Sequence, residues 1–299
     1  MIPFLKKFFF LIIICFQNII ILAQLGPGVP FSLSIEPIQG TFITGTHSSA
    51  IAKSGDKWLV IGGRINGLHG LNSNDGFPTE LANEFIIVLD TNTWTESIAS
   101  LNQLPASIAD PLRSTNMEYI QIGSYLYMAG GYGRDNVAGI FVTFPKLTAI
   151  HVDSMINAVL NGESIAPHIR QITDSRFQVC GGELGNIGQE LYLLFGHNFG
   201  GRYTDPPTPM FTQTYTDRIT KFSLLDDGIT MTPQSFVDYI DTNYFHRRDL
   251  NVGPIIMENG EFALKAYSGV FQKINNLPFR ETITITNENN NVNTSYQQV

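Results

Sequence analysis

The stretches Lys57-Trp-Leu-Val-Ile-Gly-Gly63 and Tyr125-Leu-Tyr-Met-Ala-Gly-Gly131 follow one pattern: an apolar run closes on a glycine pair, and a lone glycine, Gly55 or Gly123, stands seven residues ahead of that pair. A pattern that returns after 68 residues announces a repeated sheet-building unit. Such a repeat fixes the architecture before any single residue is interpreted. Glycine reaches positive φ without steric cost, so a strand ending in Gly62-Gly63 or Gly130-Gly131 can turn sharply and lie close to its neighbour.

Working outward, short β-branched and aromatic runs alternate with clusters of glycine, asparagine, aspartate and proline, and only Met155 to Leu160 has the pattern of an amphipathic helix. The chain is predicted to be all-β. In the first unit Ser48 to Ala52, Lys57 to Ile61, Glu84 to Asp90 and Trp94 to Ile98 are expected as four strands. The second offers Met117 to Ile122, Tyr125 to Ala129, Phe141 to Phe144 with Thr148 to Val152, and a weak outer segment of helical character near Met155. In the third, Arg176 to Cys180, Glu190 to Phe195 and Arg218 to Leu224 take the first three places, with Gly196-His197 replacing the glycine pair and Ile229 to Thr232 or Gln234 to Tyr239 as the fourth strand. A fourth unit starts near Leu250, turns at Asn259-Gly260, runs through Phe262 to Tyr267, closes on Ser268-Gly269 and reaches Thr282 to Thr286. The β domain is thus expected over residues 31–286, with Phe31 to Ile35 as a first strand and 287–299 as a polar tail or the start of an unfinished unit.

Residues 1–23 place Lys6 and Lys7 before an apolar stretch and end on Ala23, which is the layout of a cleavable secretory signal. Gln17 and Asn18 interrupt that stretch and no basic stop-transfer cluster follows, so no transmembrane anchor is expected after cleavage; residues 24–30 form a leader. Cleavage would remove Cys15 and leave Cys180 alone, so stability must come from a core rather than a disulfide. With 18 basic and 26 acidic residues and a net charge of -8, nucleic acid is not expected as a partner. The chain is expected at the cell surface, in the periplasm or outside the cell.

An apolar strand ending in a double glycine, followed by a spaced aromatic strand and a tryptophan, resembles a Kelch repeat, and Gly62, Gly63, Phe85 and Trp94 match it best. Gly130 and Gly131 with Phe141 and Phe144 repeat it without the tryptophan. The resemblance spans roughly His47 to Thr286 and implies a divergent Kelch-type β-propeller of about four blades, with Trp94 packed between neighbours and a ring that this chain leaves incomplete. Gly196-His-Asn-Phe-Gly-Gly-Arg-Tyr203 and Phe245-His-Arg-Arg-Asp249 are also similar to secreted bacterial Kelch-like proteins.

The densest polar cluster is His246-Arg247-Arg248-Asp249, and His47, Arg113, and His168 with Arg170 occupy comparable places before strands. At one mouth of a propeller channel, Arg113, His246, Arg247, Arg248 and Asp249 would meet a ligand, the arginines gripping a carboxylate or sulfate. Equally, an arginine there crosslinks adjacent blades through strand carbonyls. The six histidines never fall at the spacing of a helical metal pair, so neither a metal nor a cofactor is expected. Asp90-Thr-Asn92 and Asn72-Ser-Asn-Asp-Gly76 are read as turns rather than calcium loops. Glu183, Glu190 and Asp205 cannot be ranked as a hydrolytic pair without distances. The expected function is a non-catalytic module that binds carbohydrate or protein through loops on one face; the alternatives are a carbohydrate-active epimerase, lyase or oxidase and a purely structural surface protein.

Overall fold

The computed structural model describes residues 32–35, 44–67, 76–203, 210–288 and 291–298. Thr41–Val299 forms one unit, and four four-stranded antiparallel sheets follow one another along it. The first sheet runs β1 (Ala50–Ser54), β2 (Lys57–Ile61), β3 (Phe85–Asp90) and β4 (Thr95–Ser100). The second takes β5 (Glu118–Ile122), β6 (Tyr125–Ala129), β9 (Lys146–His151) and β10 (Ile169–Thr173), with the hairpin β7 (Tyr132–Asp135) and β8 (Ile140–Thr143) inserted after its second strand. In the third, β11 (Glu183–Ile187), β12 (Glu190–Leu194), β15 (Arg218–Asp226) and β16 (Met231–Ile240) carry the hairpin β13 (His197–Arg202) and β14 (Met210–Tyr215) in the same place. The fourth is β17 (Asn251–Ile256), β18 (Phe262–Tyr267), β19 (Glu281–Glu288) and β20 (Asn291–Gln298). The two α-helices among the described residues are α1 (Ala106–Leu112) and α2 (Val152–Asn161).

One hydrogen-bond frame repeats in every sheet. The second strand ends in two residues of positive φ: Gly62 and Gly63, Gly130 and Gly131, Phe195 and Gly196, Ser268 and Gly269. The carbonyl of the second member then accepts the N–H that leads into the third strand, from Asn83, Phe144, Thr216 and Phe279 in turn, at 2.8 to 3.0 Å. Its own N–H reaches forward to the next sheet: Gly63 to Ser114 O, Gly131 to Val179 O and Gly196 to Arg247 O, at 2.8 to 3.0 Å. A side chain would obstruct this approach, since a Cβ on Gly130 would lie 1.8 Å from Val179 O.

Consecutive sheets pack face to face, and the second strands explain their own composition. On β6, Leu126 and Met128 face the core shared with the first sheet, while Tyr127 and Ala129 face the core shared with the third. On β12, Leu191 and Leu193 point back to the second sheet and Tyr192 and Leu194 forward to the fourth. A strand buried on both faces must be apolar throughout, which is why these runs do not alternate. Helix α2 follows β9 and packs against the first sheet through Met155, Ile156 and Val159. It starts where the His151 ring accepts the N–H of Ser154 at 3.3 Å and stops at Gly162, whose φ of 67° is left-handed.

Several expected boundaries move. Residues 32–35 carry no strand, and Phe31 and the 1–30 segment lie outside the described residues. Arg176 to Cys180 is not the first strand of the third sheet; it holds a short 3-10 turn at Ser175–Phe177, and β11 begins at Glu183. The doublet of that unit is Phe195-Gly196 rather than Gly196-His197. Phe141 belongs to the inserted hairpin, and the fourth strand of the second sheet is β10, beyond the helix. Residues 291–298, read as a polar tail, pair along β19 as β20. Trp94 does not lie between sheets. It closes the β3–β4 turn at a φ of 53° and stands outside the hydrophobic clusters of the described residues.

These contacts separate two classes of glycine. Gly123 has a φ of +56° with open space around it, so Gly123→Ala should cost about 1 kcal/mol in urea unfolding, the strain of a left-handed alanine. Gly130→Ala adds a clash with a carbonyl of the next sheet and should cost more than about 3 kcal/mol. Equal losses at the two positions would remove the doublet from its proposed place in the frame.

Candidate functional site

Each sheet is approached through a residue held at positive φ: Ser48 (55°), Asn116 (56°), Gly181 (70°) and Asp249 (52°). Their backbones are linked in sequence. Asn116 N–H donates to Ser48 O at 3.1 Å, Gly181 N–H to Asn116 O at 2.9 Å, and Asp249 N–H to Gly181 O at 2.8 Å. Ser48 N and Asp249 O do not bond each other, so the series is an arc and not a closed circle. All four residues line one cavity of about 340 Å³, where Tyr119 and Glu183 join them from the first strands of the second and third sheets.

Asn116 and Asp249 also form part of a second cavity of about 60 Å³, whose floor is Cys180 and His197 and whose rim includes Arg248. Phe77 and Tyr132 divide that cavity from a third of about 30 Å³, beside Arg64, Arg113 and Arg134. The aromatic wall is held edge to face, with Phe77 at 5.3 Å from Tyr132 and 5.8 Å from Tyr203 between ring centres. Three adjoining cavities therefore pass from a central polar chamber, past aromatic rings, to an arginine-lined end.

Burial sets the protonation of the groups around them. Glu118 is 1% exposed; its Oε1 accepts the N–H of Gly182 at 2.7 Å, its Oε2 has no partner, and burial pushes its pKa up to about 8. Glu183 is raised to about 7 by burial. His197 is lowered to about 3 by burial and then by the charge of Arg248. The amide nitrogen of Gln213 lies 2.5 Å from His197 Nδ1, which fits a neutral ring accepting there. Burial raises the Cys180 thiol, which sits 3.4 Å from Thr143 Oγ1, so this cysteine is kept as a thiol and not a nucleophilic thiolate. Among the described residues, no group of three or more His, Cys, Asp or Glu side chains is placed to hold a metal ion.

The structure separates the residues singled out from sequence. Arg248 and Asp249 line the cavities, paired with each other, and Arg248 Nε also donates to the Tyr215 hydroxyl at 3.3 Å. Arg113 borders the small cavity but is held by Glu84 at 2.8 Å and Asp110 at 3.0 Å. His246 bonds Asp217 at 2.6 Å and stacks on Tyr215, away from the cavities. Arg247 is fully buried and donates to the carbonyls of Tyr244, Ser268 and Glu281 at 2.7, 2.6 and 3.2 Å, with its guanidinium 3.8 Å over the ring of Phe279. Arg247 is a crosslink that ties the approach to the fourth sheet to that sheet's own doublet. Arg170 likewise pairs with Asp226, at 2.5 and 2.9 Å. In the Asp90 turn, Oδ1 accepts the N–H groups of Asn92 and Thr93, as turn chemistry requires, while residues 72–75 lie outside the described residues.

Asn116, Glu118, His197 and Arg134 were missed in the sequence. Asn116 was legible in principle, because Ser48, Asn116 and Asp249 all stand shortly before a first strand and are residue types that tolerate or cap tight turns. Comparison with protein-family models and with curated proteins finds no match for this chain. No helix among the described residues is long and apolar enough to cross a membrane.

Two outcomes follow from this placement. Arg247→Ala should destabilise by about 3 kcal/mol or more, because it removes a fully buried side chain and its charged hydrogen bonds to three carbonyls, whereas Arg248→Ala should leave the urea midpoint nearly unchanged. Glu118 has a reference value of 4.5 and a folded value of about 8, so the folded state holds the extra proton between them. Stability from this group is complete below about pH 4.5 and is lost as pH rises toward about 8. Thermal unfolding followed across that range should show the loss in the wild type and a flatter profile in Glu118→Gln; parallel profiles would show that the carboxyl is not held protonated.

Proposed function

We propose that this chain is an exported binding module, a Kelch-like propeller unit that holds a carbohydrate at the mouth where its four sheets meet. The observation that carries the reading is the 340 Å³ chamber, to which every sheet contributes one left-handed residue. Its volume lies in the range of small-ligand sites. Its lining suits a sugar: Asn116, Ser48 and Asp249 offer short polar groups for hydroxyls, and the adjoining cavity offers rings of Phe77 and Tyr203 for apolar C–H faces. The repeated doublet frame and the succession of meanders support the propeller part of the reading. The signal-like pattern of residues 1–23 supports export.

One observation favours a second reading, a carbohydrate-active enzyme. Glu183, raised to about 7, lines the chamber and is suited to general-acid work near neutrality. Turnover of any oligosaccharide that disappears in Glu183→Gln, with binding retained, would replace the module by the enzyme.

The binding reading is tested with Asp249→Asn and Arg248→Gln. Asparagine tolerates the φ of 52° at position 249, so the fold should persist while the cavity loses its carboxylate. On a glycan array, ligands captured by the wild type should be bound about 10-fold more weakly by both variants, a loss of roughly 1.4 kcal/mol. Capture equal to wild type in both would place the ligand elsewhere.

A further inference from the structure

The cavity of about 30 Å³ is lined by three arginines, Arg64, Arg113 and Arg134, against one carboxylate, Glu84. On a chain of net charge -8 this is a local reversal of sign. Arg113 is already committed to Glu84, Asp110 and Asn102. Arg64 donates to Pro78 O at 2.6 Å and Asn66 Oδ1 at 3.0 Å, and is 5% exposed. Arg134 differs from both. It is half-buried on β7, its guanidinium lies 5.4 Å over the Phe141 ring, and it makes no hydrogen bond or ion pair among the described residues. Its sequence neighbour Asp135 is not paired with it and instead accepts the N–H groups of Val137 and Ala138 at Oδ1. Arg202 lies 5.6 Å from the same Phe141 ring but does not line this cavity.

We propose that this cavity is an anion subsite that takes the carboxylate of a uronic acid residue at one end of a saccharide, with Arg134 as its principal donor. The proposal rests on the reading that the mouth binds carbohydrate, and it adds the charge and the direction of the ligand. The cavity is too small for a sugar ring but matches a single carboxylate, and a guanidinium offers paired donors to it. Phe77 and Tyr132 line both this cavity and the 60 Å³ cavity, and Asn116 with Asp249 line both that cavity and the central chamber. The far end carries no basic side chain: among the described residues the chamber is lined by Asp249, Glu183 and neutral groups. A run of carboxylates, as in an acidic peptide, would find no counter-charge there. A uronate followed by neutral sugars meets arginine, aromatic rings and hydroxyl-binding groups in the order in which the structure presents them.

The test is calorimetric titration at low salt with three oligosaccharides of equal length: one ending in glucuronate, one ending in the methyl ester of that glucuronate, and one ending in glucose. The acid should bind about 10-fold more tightly than the other two, the difference expected of one charge-assisted bidentate contact. In Arg134→Gln the three affinities should converge while the thermal midpoint stays at its wild-type value, and Arg134→Lys should restore part of the preference. Equal binding of all three probes that Asp249→Asn weakens would leave the mouth as a carbohydrate site and overturn the anion subsite. Preference for the acid that survives in Arg134→Gln would also overturn it. Absence of binding by any probe would overturn both readings, and capture of an oligoglutamate peptide that Arg134→Gln abolishes would replace the saccharide by a peptide.

Discussion

The hydrogen bond from the second doublet residue to the approach of the next sheet is the constraint on which the rest of the molecule depends. Through Gly63, Gly131 and Gly196 it sets the distance between the second strand of one sheet and the first strand of the following one. At that distance the alternate residues of β6 and β12 reach two different cores, built largely of buried Leu, Ile, Phe and Tyr. The same spacing brings Ser48, Asn116, Gly181 and Asp249 to one chamber. Architecture and site are thus consequences of one backbone contact, repeated.

What was legible in the sequence depended on how many faces of a strand are buried. Lys57 to Ile61 and Tyr125 to Ala129 were placed to the residue, because an apolar run bounded by glycine has a single reading. β11, Glu-Leu-Gly-Asn-Ile, was missed because its contact with the fourth sheet is made at Gly185, where a side chain would strike Leu264. A close approach made by an absent side chain leaves no hydrophobic signal. β20 was missed for the opposite reason. It is paired only with β19 and has few apolar residues, so its alternation of Val292, Thr294 and Tyr296 is easily lost among asparagines.

The site was legible only in part. The cluster at 246–249 was correctly marked as dense in polar side chains, but sequence could not divide it between roles. A strand approach that alternates sends His246 and Arg248 to one set of neighbours and Arg247 to the interior, where three carbonyls need donors. Arg134 and His197 reach the site from hairpins inserted after second strands, at sequence distances no local pattern encodes. The inserted hairpins β7–β8 and β13–β14 therefore carry much of the site's chemistry, on a scaffold that the glycine doublets hold constant.

The left-handed quartet also limits what the chamber can become. A position with φ near +55° favours glycine, asparagine and aspartate and is reached by serine at some cost, and these are the residue types found at Ser48, Asn116, Gly181 and Asp249. Larger side chains do reach this region elsewhere in the molecule, at Trp94 (53°) and Phe195 (59°), but at the cost of a left-handed Cβ that none of the four chamber positions carries on a bulky residue. Those four positions therefore draw on a short polar alphabet, and the chemistry around the chamber can vary more freely at Tyr119 and Glu183 and in the hairpins beyond them.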